Sequence, residues 1–257
     1  MPPITATIVA HNEERRIGKA IESLGCADEI ILIDDGSTDR TREIAESLGA
    51  LVFIHQPWPG PAAQKNLAAS RARHDWILSL DADEVLSDEA RAAVEAWKRQ
   101  EPRAAGYRFA RQQFFMGRWI RHSGWYPDYK LRLYDRRRGG FGGGPVHDAV
   151  RVEGAVETLA GKILHYPVET LEEYYRQLDS YSERMARDLA ARGVRVTWGD
   201  RWIAPAWRFV HAYLVHLGFL DGRAGWVIAR AEARYVWRKY ARAAELLAAR
   251  ARDTAAR

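Results

Sequence analysis

An open, doubly wound α/β sheet with a helical extension is expected from three features of the sequence. Short apolar runs alternate with helical patterns over about the first hundred residues, the strand candidates are apolar without alternation, and long helical patterns return after residue 170. In order, the runs are Ile4–Ala10, Glu14–Leu24, Glu29–Ile33, Arg40–Leu48, Leu51–Ile54, Ala62–Arg73 and Trp76–Leu80, which reads β-α-β-α-β-α-β, followed by a helix at Asp88–Arg99. Ile30-Ile31-Leu32-Ile33 is apolar throughout, as a parallel strand must be when helices cover both faces. Residues 105–166 change rhythm and read as irregular strands and loops rich in aromatics, Arg and Gly. Leu171–Ala191 is helical, and residues 201–249 read as two helices separated near Asp221-Gly222. A sheet of this kind holds its ligands at the carboxyl ends of the strands.

The composition agrees with a folded body. Of 257 residues, 47% are hydrophobic and 28% charged, which excludes disordered, collagenous and fibrous classes. A lone cysteine, Cys26, cannot form an internal disulfide, and no basic stretch followed by an apolar run opens the chain, so the expected location is cytoplasmic. The net charge of +5 is concentrated in the tail: residues 198–257 hold 11 Lys/Arg against 5 Asp/Glu, and five of the ten tryptophans. The longest charge-free stretch there is Phe209–Leu220, twelve residues, where a membrane-spanning helix needs about twenty.

Three acid-rich turns leave successive strands. Asp81-Ala82-Asp83-Glu84 follows Trp76–Leu80, and in extended backbone Asp81 and Asp83 point the same way, so they can present two carboxylates to Mg²⁺ or Mn²⁺ carrying phosphate oxygens. The same letters suit the start of a helix, with Ser87 as its cap. Asp34-Asp35-Gly36-Ser37-Thr38-Asp39 follows Glu29–Ile33; its acids can accept hydrogen bonds from a base or a ribose, or the segment can be a turn and cap alone. Ala10-His11-Asn12-Glu13-Glu14 leaves the first strand. Carboxylates gathered at one edge repel unless a cation or ligand donors compensate, and this points to a nucleoside-diphosphate and metal site.

These segments resemble the family 2 nucleotide-sugar glycosyltransferases, which have a Rossmann-like A-type glycosyltransferase fold. The resemblance covers about residues 3–170 and rests on Ile8-Val9-Ala10-His11-Asn12-Glu13-Glu14, Leu32-Ile33-Asp34-Asp35-Gly36-Ser37-Thr38-Asp39, Gln64-Lys65-Asn66 and Leu80-Asp81-Ala82-Asp83-Glu84, in order. Pro127-Asp128-Tyr129-Lys130-Leu131-Arg132-Leu133, Pro145-Val146-His147-Asp148, Leu164-His165-Tyr166 and Gly218-Phe219-Leu220-Asp221-Gly222 look most like the bacterial lipopolysaccharide-core β-1,4-glucosyltransferase branch. That branch usually has Glu where this chain has Asp148.

The resemblance implies a mixed sheet, a catalytic nucleotide-sugar-binding domain over residues 1–168 and a helical, basic-aromatic region over 169–257. By position, Glu13 and Asp35 would hold the ribose and uracil of a UDP-sugar, with Ala10 and Asp34 beside them; Gln64 or Lys65 would approach the nucleotide; Asp81 and Asp83 would bind the diphosphate through a divalent cation. Inverting transfer also needs a base. Asp128 is the first choice, in the Trp125-Tyr126-Pro127-Asp128-Tyr129 segment, where rings such as Trp125 can stack on an acceptor sugar and burial would raise a carboxylate's pKa; it also reads as a turn aspartate after proline. Asp148 and Glu84 are the reserves, and Lys130 and Arg132 are expected to neutralise the leaving diphosphate. His147 reads as a third metal ligand, a phosphate donor or a histidine satisfied by a backbone carbonyl, while His165 reads as a strand-end residue and His211 and His216 as structural. The run from Arg136 to Gly144 lacks the strand and helix that flank a phosphate loop and reads as a hairpin or mobile loop.

In the tail, Trp202, Trp207, Phe209, Tyr213, Phe219 and Trp226 interleave with Arg201, Arg208, Arg223 and Arg230, the mixture of an interfacial helix or of a packed helical unit with solvated arginines. Together with this tail, the resemblance implies as partners a UDP-sugar donor, a lipid-linked or core-saccharide acceptor and the inner face of a membrane, with no nucleic acid. A non-catalytic anionic-surface or nucleic-acid-binding module would account for the basic tail and leave the acidic strand ends unexplained. A nucleotidyltransferase would want a glycine-rich basic loop where His11-Asn12-Glu13 stands.

Overall fold

The computed structural model describes residues 1–143 and 148–255. The chain forms two compact units: unit 1 comprises Met1–Gln112 and Pro127–Tyr166, unit 2 Gln113–Tyr126 and Pro167–Arg257.

Unit 1 is built on a mixed sheet. Strands β1 (Ile4–Ala10), β2 (Glu29–Asp34), β3 (Leu51–Ile54) and β4 (Trp76–Asp81) are parallel in the order β3-β2-β1-β4. The sheet continues through β8 (Asp128–Asp135), antiparallel to β4, then β6 (Gly106–Phe115), β11 (Val156–His165) and β5 (Glu84–Leu86). Helices α1 (Ile17–Ser23), α2 (Thr41–Ser47), α3 (Pro61–Arg71) and α4 (Asp88–Lys98) connect these strands. Alternate residues of one strand serve opposite cores: Leu32 joins Ile8, Ile21 and Val94 on one side, while Ile31 and Ile33 join Ala68, Ile77 and Phe141 on the other. That two-sided burial is why β2 carries no polar alternation.

Local chemistry sets the element ends. The Glu13 carbonyl accepts from the N–H groups of Arg16 and Ile17, so α1 begins later than the Glu14 start expected. Ser87 caps α4 by accepting from the Ala90 N–H at 3.1 Å, as anticipated. The Gly-rich segment forms a hairpin of β9 (Gly139–Gly143) and β10 (Asp148–Val152). Arg136, just before it, donates to the carbonyls of Ala69 and Ala72 and closes the last turn of α3.

Unit 2 contains β7 (Arg118–Trp119), paired with the end of β6, and helices α5 (Leu171–Ala191), α6 (Trp198–Val210) and α7 (Gly222–Ala255). A π turn, His211–Val215, and a 3₁₀ turn, Gly218–Asp221, join α6 to α7, which begins at Gly222 as expected. Asp221 is buried and accepts from the backbone N–H groups of Arg121 and His122, while its carbonyl takes the Arg118 guanidinium. A Cβ on Gly225 would lie 1.8 Å from the Gly218 carbonyl oxygen, so only glycine permits this close approach. Among the described residues, no helix is long and apolar enough to cross a membrane.

Candidate active site

The parallel register gathers the acidic turns. Ala10, the last residue of β1, pairs with Asp34 of β2, and Val9 pairs with Asp81 of β4, so both aspartates flank the carboxyl end of β1. Hydrogen bonds then stitch the loops after β1 and β2 together. The Asp35 N–H donates to the Ala10 carbonyl at 2.9 Å, and the Asn12 N–H donates to Ser37 Oγ at 2.9 Å. The Glu13 N–H donates to Thr41 Oγ1 at 2.7 Å, and the Glu14 N–H to Asp39 at 3.1 Å. Burial lifts the Glu13 carboxyl above its ordinary value; Arg16 pulls it partly back, and the nearby Asp83 carboxylate adds to the lift. Glu13, Asp34, Asp35, Asp81 and Asp83 thus share one edge of the sheet.

Asp34 is fully buried. Its Oδ1 accepts from the Ser37 N–H at 2.8 Å, and its Oδ2 has no hydrogen-bond partner among the described residues. The Asp34 carboxylate thus fixes the turn after β2 from inside the sheet edge. Gln64 has another role: its Oε1 accepts from His55 Nδ1 at 2.8 Å and its Nε2 donates to the His55 carbonyl at 3.1 Å, bracing the segment after β3.

Asp81 lies between two cations. Lys65 Nζ reaches Asp81 Oδ1, and the Arg132 guanidinium donates to Asp81 Oδ2 at 2.8 Å. Burial alone would raise the Asp81 carboxyl, but Arg132 and Lys65 outweigh it and hold it far below the usual range. Lys65 also pairs with Asp148 on β10 at 2.9 Å. Asn66 makes that placement possible, because its side-chain amide donates to the Phe141 carbonyl at 2.8 Å and accepts from the Phe141 N–H at 2.9 Å, tying β9 to α3.

The network continues inward. Glu84, with no exposed surface, accepts from Arg132 at 2.6 Å, from Arg111 at 3.0 Å and from the Asp81 N–H at 3.2 Å. Arg111 also grips Asp128 Oδ2 through two nitrogens, at 3.0 and 2.7 Å, and Lys130 pairs with Asp128 Oδ1 at 3.0 Å. The raised pKa expected for Asp128 is therefore not what the site provides: burial pushes it up, but Arg111 and Lys130 hold the carboxyl below its ordinary value. Glu84, with both oxygens engaged and no exposed surface, cannot meet a substrate hydroxyl. Trp125 falls in unit 2, where its ring packs with Phe115 and Tyr174 and its indole N–H donates to Glu232, while Tyr129 of the same segment lies in unit 1 with its ring exposed.

Asp83 has a neighbour that the sequence reading passed over. His165, the last residue of β11, sets its Nε2 3.2 Å from Asp83 Oδ2, and the Tyr166 N–H donates to the Asp83 carbonyl. His147, the expected third ligand, lies outside the described residues. No group of three or more metal-ligating side chains stands assembled among the described residues. Asp83 and His165 nonetheless fit a divalent ion of the kind that takes one or two protein donors and completes its shell with phosphate oxygens and water. Arg111 is absent from the sequence reading, Asn66 enters it only as part of a motif and His165 only as a structural residue; each acts through a contact fixed by strand register or long-range packing.

Comparison with known proteins finds relatives along most of the chain. The profile described as "Glycosyl transferase family 2" matches residues 5–157. An uncharacterized glycosyltransferase of Rickettsia typhi is 31% identical over 241 residues, covering 88% of this chain and 82% of the relative. The lipopolysaccharide core biosynthesis glycosyltransferase LpsC of Rhizobium meliloti is 28% identical over 252 residues, 93% of each. Among solved structures, S. aureus TarS 1-349 in complex with UDP-GlcNAc is 14% identical with a TM-score of 0.49, over 98% of this chain and 92% of that one.

Proposed function

The chain belongs to glycosyl transferase family 2, and on that premise we propose that it moves a hexose, glucose from UDP-glucose, onto a lipopolysaccharide-core or other lipid-linked glycan with inversion at the anomeric carbon. The LpsC relative, aligned over 93% of both chains, supports the acceptor class. The observation that carries the reading is the register that sets Asp34 and Asp81 on either side of Ala10, with Glu13 close enough to Asp83 to feel its charge. Such an edge suits a ligand that brings hydrogen-bond donors at one end and a cation-bearing diphosphate at the other.

In this mechanism Asp35 and Glu13 accept from the uracil and ribose, and the fully buried Asp34 holds the turn behind them through the Ser37 N–H. Lys65 and Arg132 face the diphosphate and stabilise the charge that grows on it as the bond to the sugar breaks. A divalent cation, Mg²⁺ or Mn²⁺, held by Asp83 and His165 with Asp81 beside them, would add Lewis-acid stabilisation of that leaving group. The acceptor oxygen forms its bond to the anomeric carbon from the opposite face and gives its proton to the Asp128 carboxylate. Asp128 keeps 28% of its side chain exposed, and since Arg111 and Lys130 hold it ionised, it must give up one of these contacts to take the proton. Asp148 already faces Lys65 and is the second choice. Residues 1–168 are the proposed catalytic domain, and 169–257 the proposed membrane-facing region at the inner surface of a cytoplasmic membrane.

UDP release across a panel of sugar donors, with Mn²⁺ or with chelator, tests the reading. Glucose turnover that both chelator and Asp83→Ala abolish is the expected result; UDP release indifferent to both would remove the metal site. Asp128→Asn should keep donor affinity and lose transfer, and full activity in that variant would move the base to Asp148.

A further inference from the structure

Helix α6 is apolar on two opposite faces. Its inner side packs in unit 2 through the buried Pro205, and Ala212 continues that side into the π turn. Ile203, Trp207, Val210 and Leu214, spaced four, three and four residues apart, form a second stripe on the other side, and they are 59%, 58%, 36% and 54% exposed. A helix with apolar surface all round is one whose outer face is covered by something else. All five tryptophans after residue 197 are exposed, and each has an indole N–H as well as a large apolar ring, the combination suited to the boundary between water and lipid.

Beside the stripe, α6 and α7 enclose a shallow groove of about 490 Å³, lined by Arg201, Trp202, Phe209, Arg230, Arg234 and Trp237 among others. Arg234 is engaged by Asp179 at 3.1 Å. Arg201 and Arg230 are exposed and, among the described residues, have no ion-pair or hydrogen-bond partner. Nearby acids are already committed: Asp200 closes the capping box of α6 with Thr197, Asp221 is buried under backbone donors, and Glu232 takes Trp125 and Arg208. A second copy docking face to face would therefore bring arginine against arginine with no acid to answer it, whereas an anionic bilayer supplies both the phosphates and the apolar boundary.

We propose that the outer stripe of α6 seats in the interface of an anionic phospholipid bilayer while Arg201 and Arg230, in the α6–α7 groove, bind the lipid phosphates. The proposal deepens the lipid-linked acceptor reading above and concerns unit 2 alone, so its test needs no turnover. Vesicles of phosphatidylcholine alone are compared with vesicles containing about a third phosphatidylglycerol, in flotation and by tryptophan emission. The full chain should float with the anionic vesicles and shift its emission to shorter wavelength. Arg201→Ala/Arg230→Ala should weaken that binding by about thirtyfold, since each basic residue near such a surface contributes about 1 kcal/mol. Ile203→Ser/Trp207→Ser should abolish it.

Equal affinity for both vesicle types, or anionic binding that neither variant alters, would overturn the proposal. So would an absence of vesicle binding together with a dimer in sedimentation that Ile203→Ser/Trp207→Ser returns to monomer, because the stripe would then belong to a second copy. UDP release from a detergent-solubilised acceptor is measured in parallel. Turnover without vesicle binding defeats the bilayer proposal alone, and vesicle binding without turnover defeats the enzyme reading alone.

Discussion

Replacing Glu84 by Gln removes one charge from the centre of the ion-pair network while keeping the side chain's size. In the native chain its carboxylate answers two guanidiniums, at 2.6 and 3.0 Å, and the Asp81 N–H at 3.2 Å. Glutamine offers one acceptor oxygen and turns an NH₂ group toward a partner that is also a donor. Glu84 has no exposed side-chain surface, while Arg132 and Arg111 have 6% and 17%, so water cannot replace the lost charge. Removing one partner of a buried ion pair costs about 3–5 kcal/mol. Arg132 keeps Asp81 and Arg111 keeps Asp128, which places Glu84→Gln at the lower end, about 3 kcal/mol. For a unit of this size that is a drop in melting temperature of roughly 10 °C, read by circular dichroism. Glu84→Gln/Arg132→Met removes both charges together, and urea titration should find it less costly than the sum of the single changes by about 1–3 kcal/mol. A single-variant loss below about 1 kcal/mol, or strict additivity in the double variant, would refute the view that a desolvated charge pair organises this site.

Three further outcomes are expected. Lys65→Met removes the cation shared by Asp81 and Asp148, and should lower kcat/KM for the nucleotide-sugar by about 10²–10³, as loss of one preorganised charge donor does; steady-state UDP release measures it. Glu13 has a raised pKa in the folded chain, so its contribution to stability is full below its unfolded value of about 4.5 and is lost as pH rises through the folded value. Glu13→Gln should therefore be neutral to stabilising in urea titrations at about pH 7 while weakening UDP binding in calorimetry. Asn66→Ala breaks two hydrogen bonds to Phe141 and leaves two backbone groups unpaired, for a loss of about 2 kcal/mol and faster amide exchange in the β9–β10 hairpin.

The parallel half of unit 1 was legible because its signals are local. Ile4–Ala10, buried on both faces, and Leu51–Ile54, an apolar edge strand, occur as expected, since a short apolar run bounded by turn residues states its own limits. Leu171–Ala191 occurs as expected from its helical pattern, and Thr170 caps it by accepting from the Glu173 N–H. The antiparallel half was not legible. Glu84–Leu86 is a strand only because β11 comes back to pair with it, and a three-residue strand has no periodicity to display. The same reason hid Arg111: its pairing with Asp128 is a register fact, Arg111 opposite Asp128 on β6 and β8, and nothing near Arg111 in the chain announces it. Trp125 failed in the opposite direction. Its aromatic neighbourhood was read as a sugar platform, but a large ring with an indole N–H is equally suited to a core with a buried carboxylate, and Glu232 supplies that partner from a hundred residues downstream.

Within the connected ion-pair network of the site the charges balance before any ligand arrives: Lys65, Arg111, Lys130 and Arg132 face Asp81, Glu84, Asp128 and Asp148, four against four, with Asp83 outside it. A bare diphosphate would upset that balance, because it must take Lys65 and Arg132 from carboxylates that then lie unpaired and partly desolvated. A diphosphate entering with a divalent cation upsets it far less, since the cation can answer the carboxylates as the phosphates take over the amine and guanidinium. Under the proposed function, metal dependence then belongs to donor binding as well as to bond cleavage. It also separates two jobs within one cluster: Glu84, out of reach of solvent, holds the arginines in place, while Asp81 and Asp148, at the rim, exchange Lys65 with the incoming phosphates.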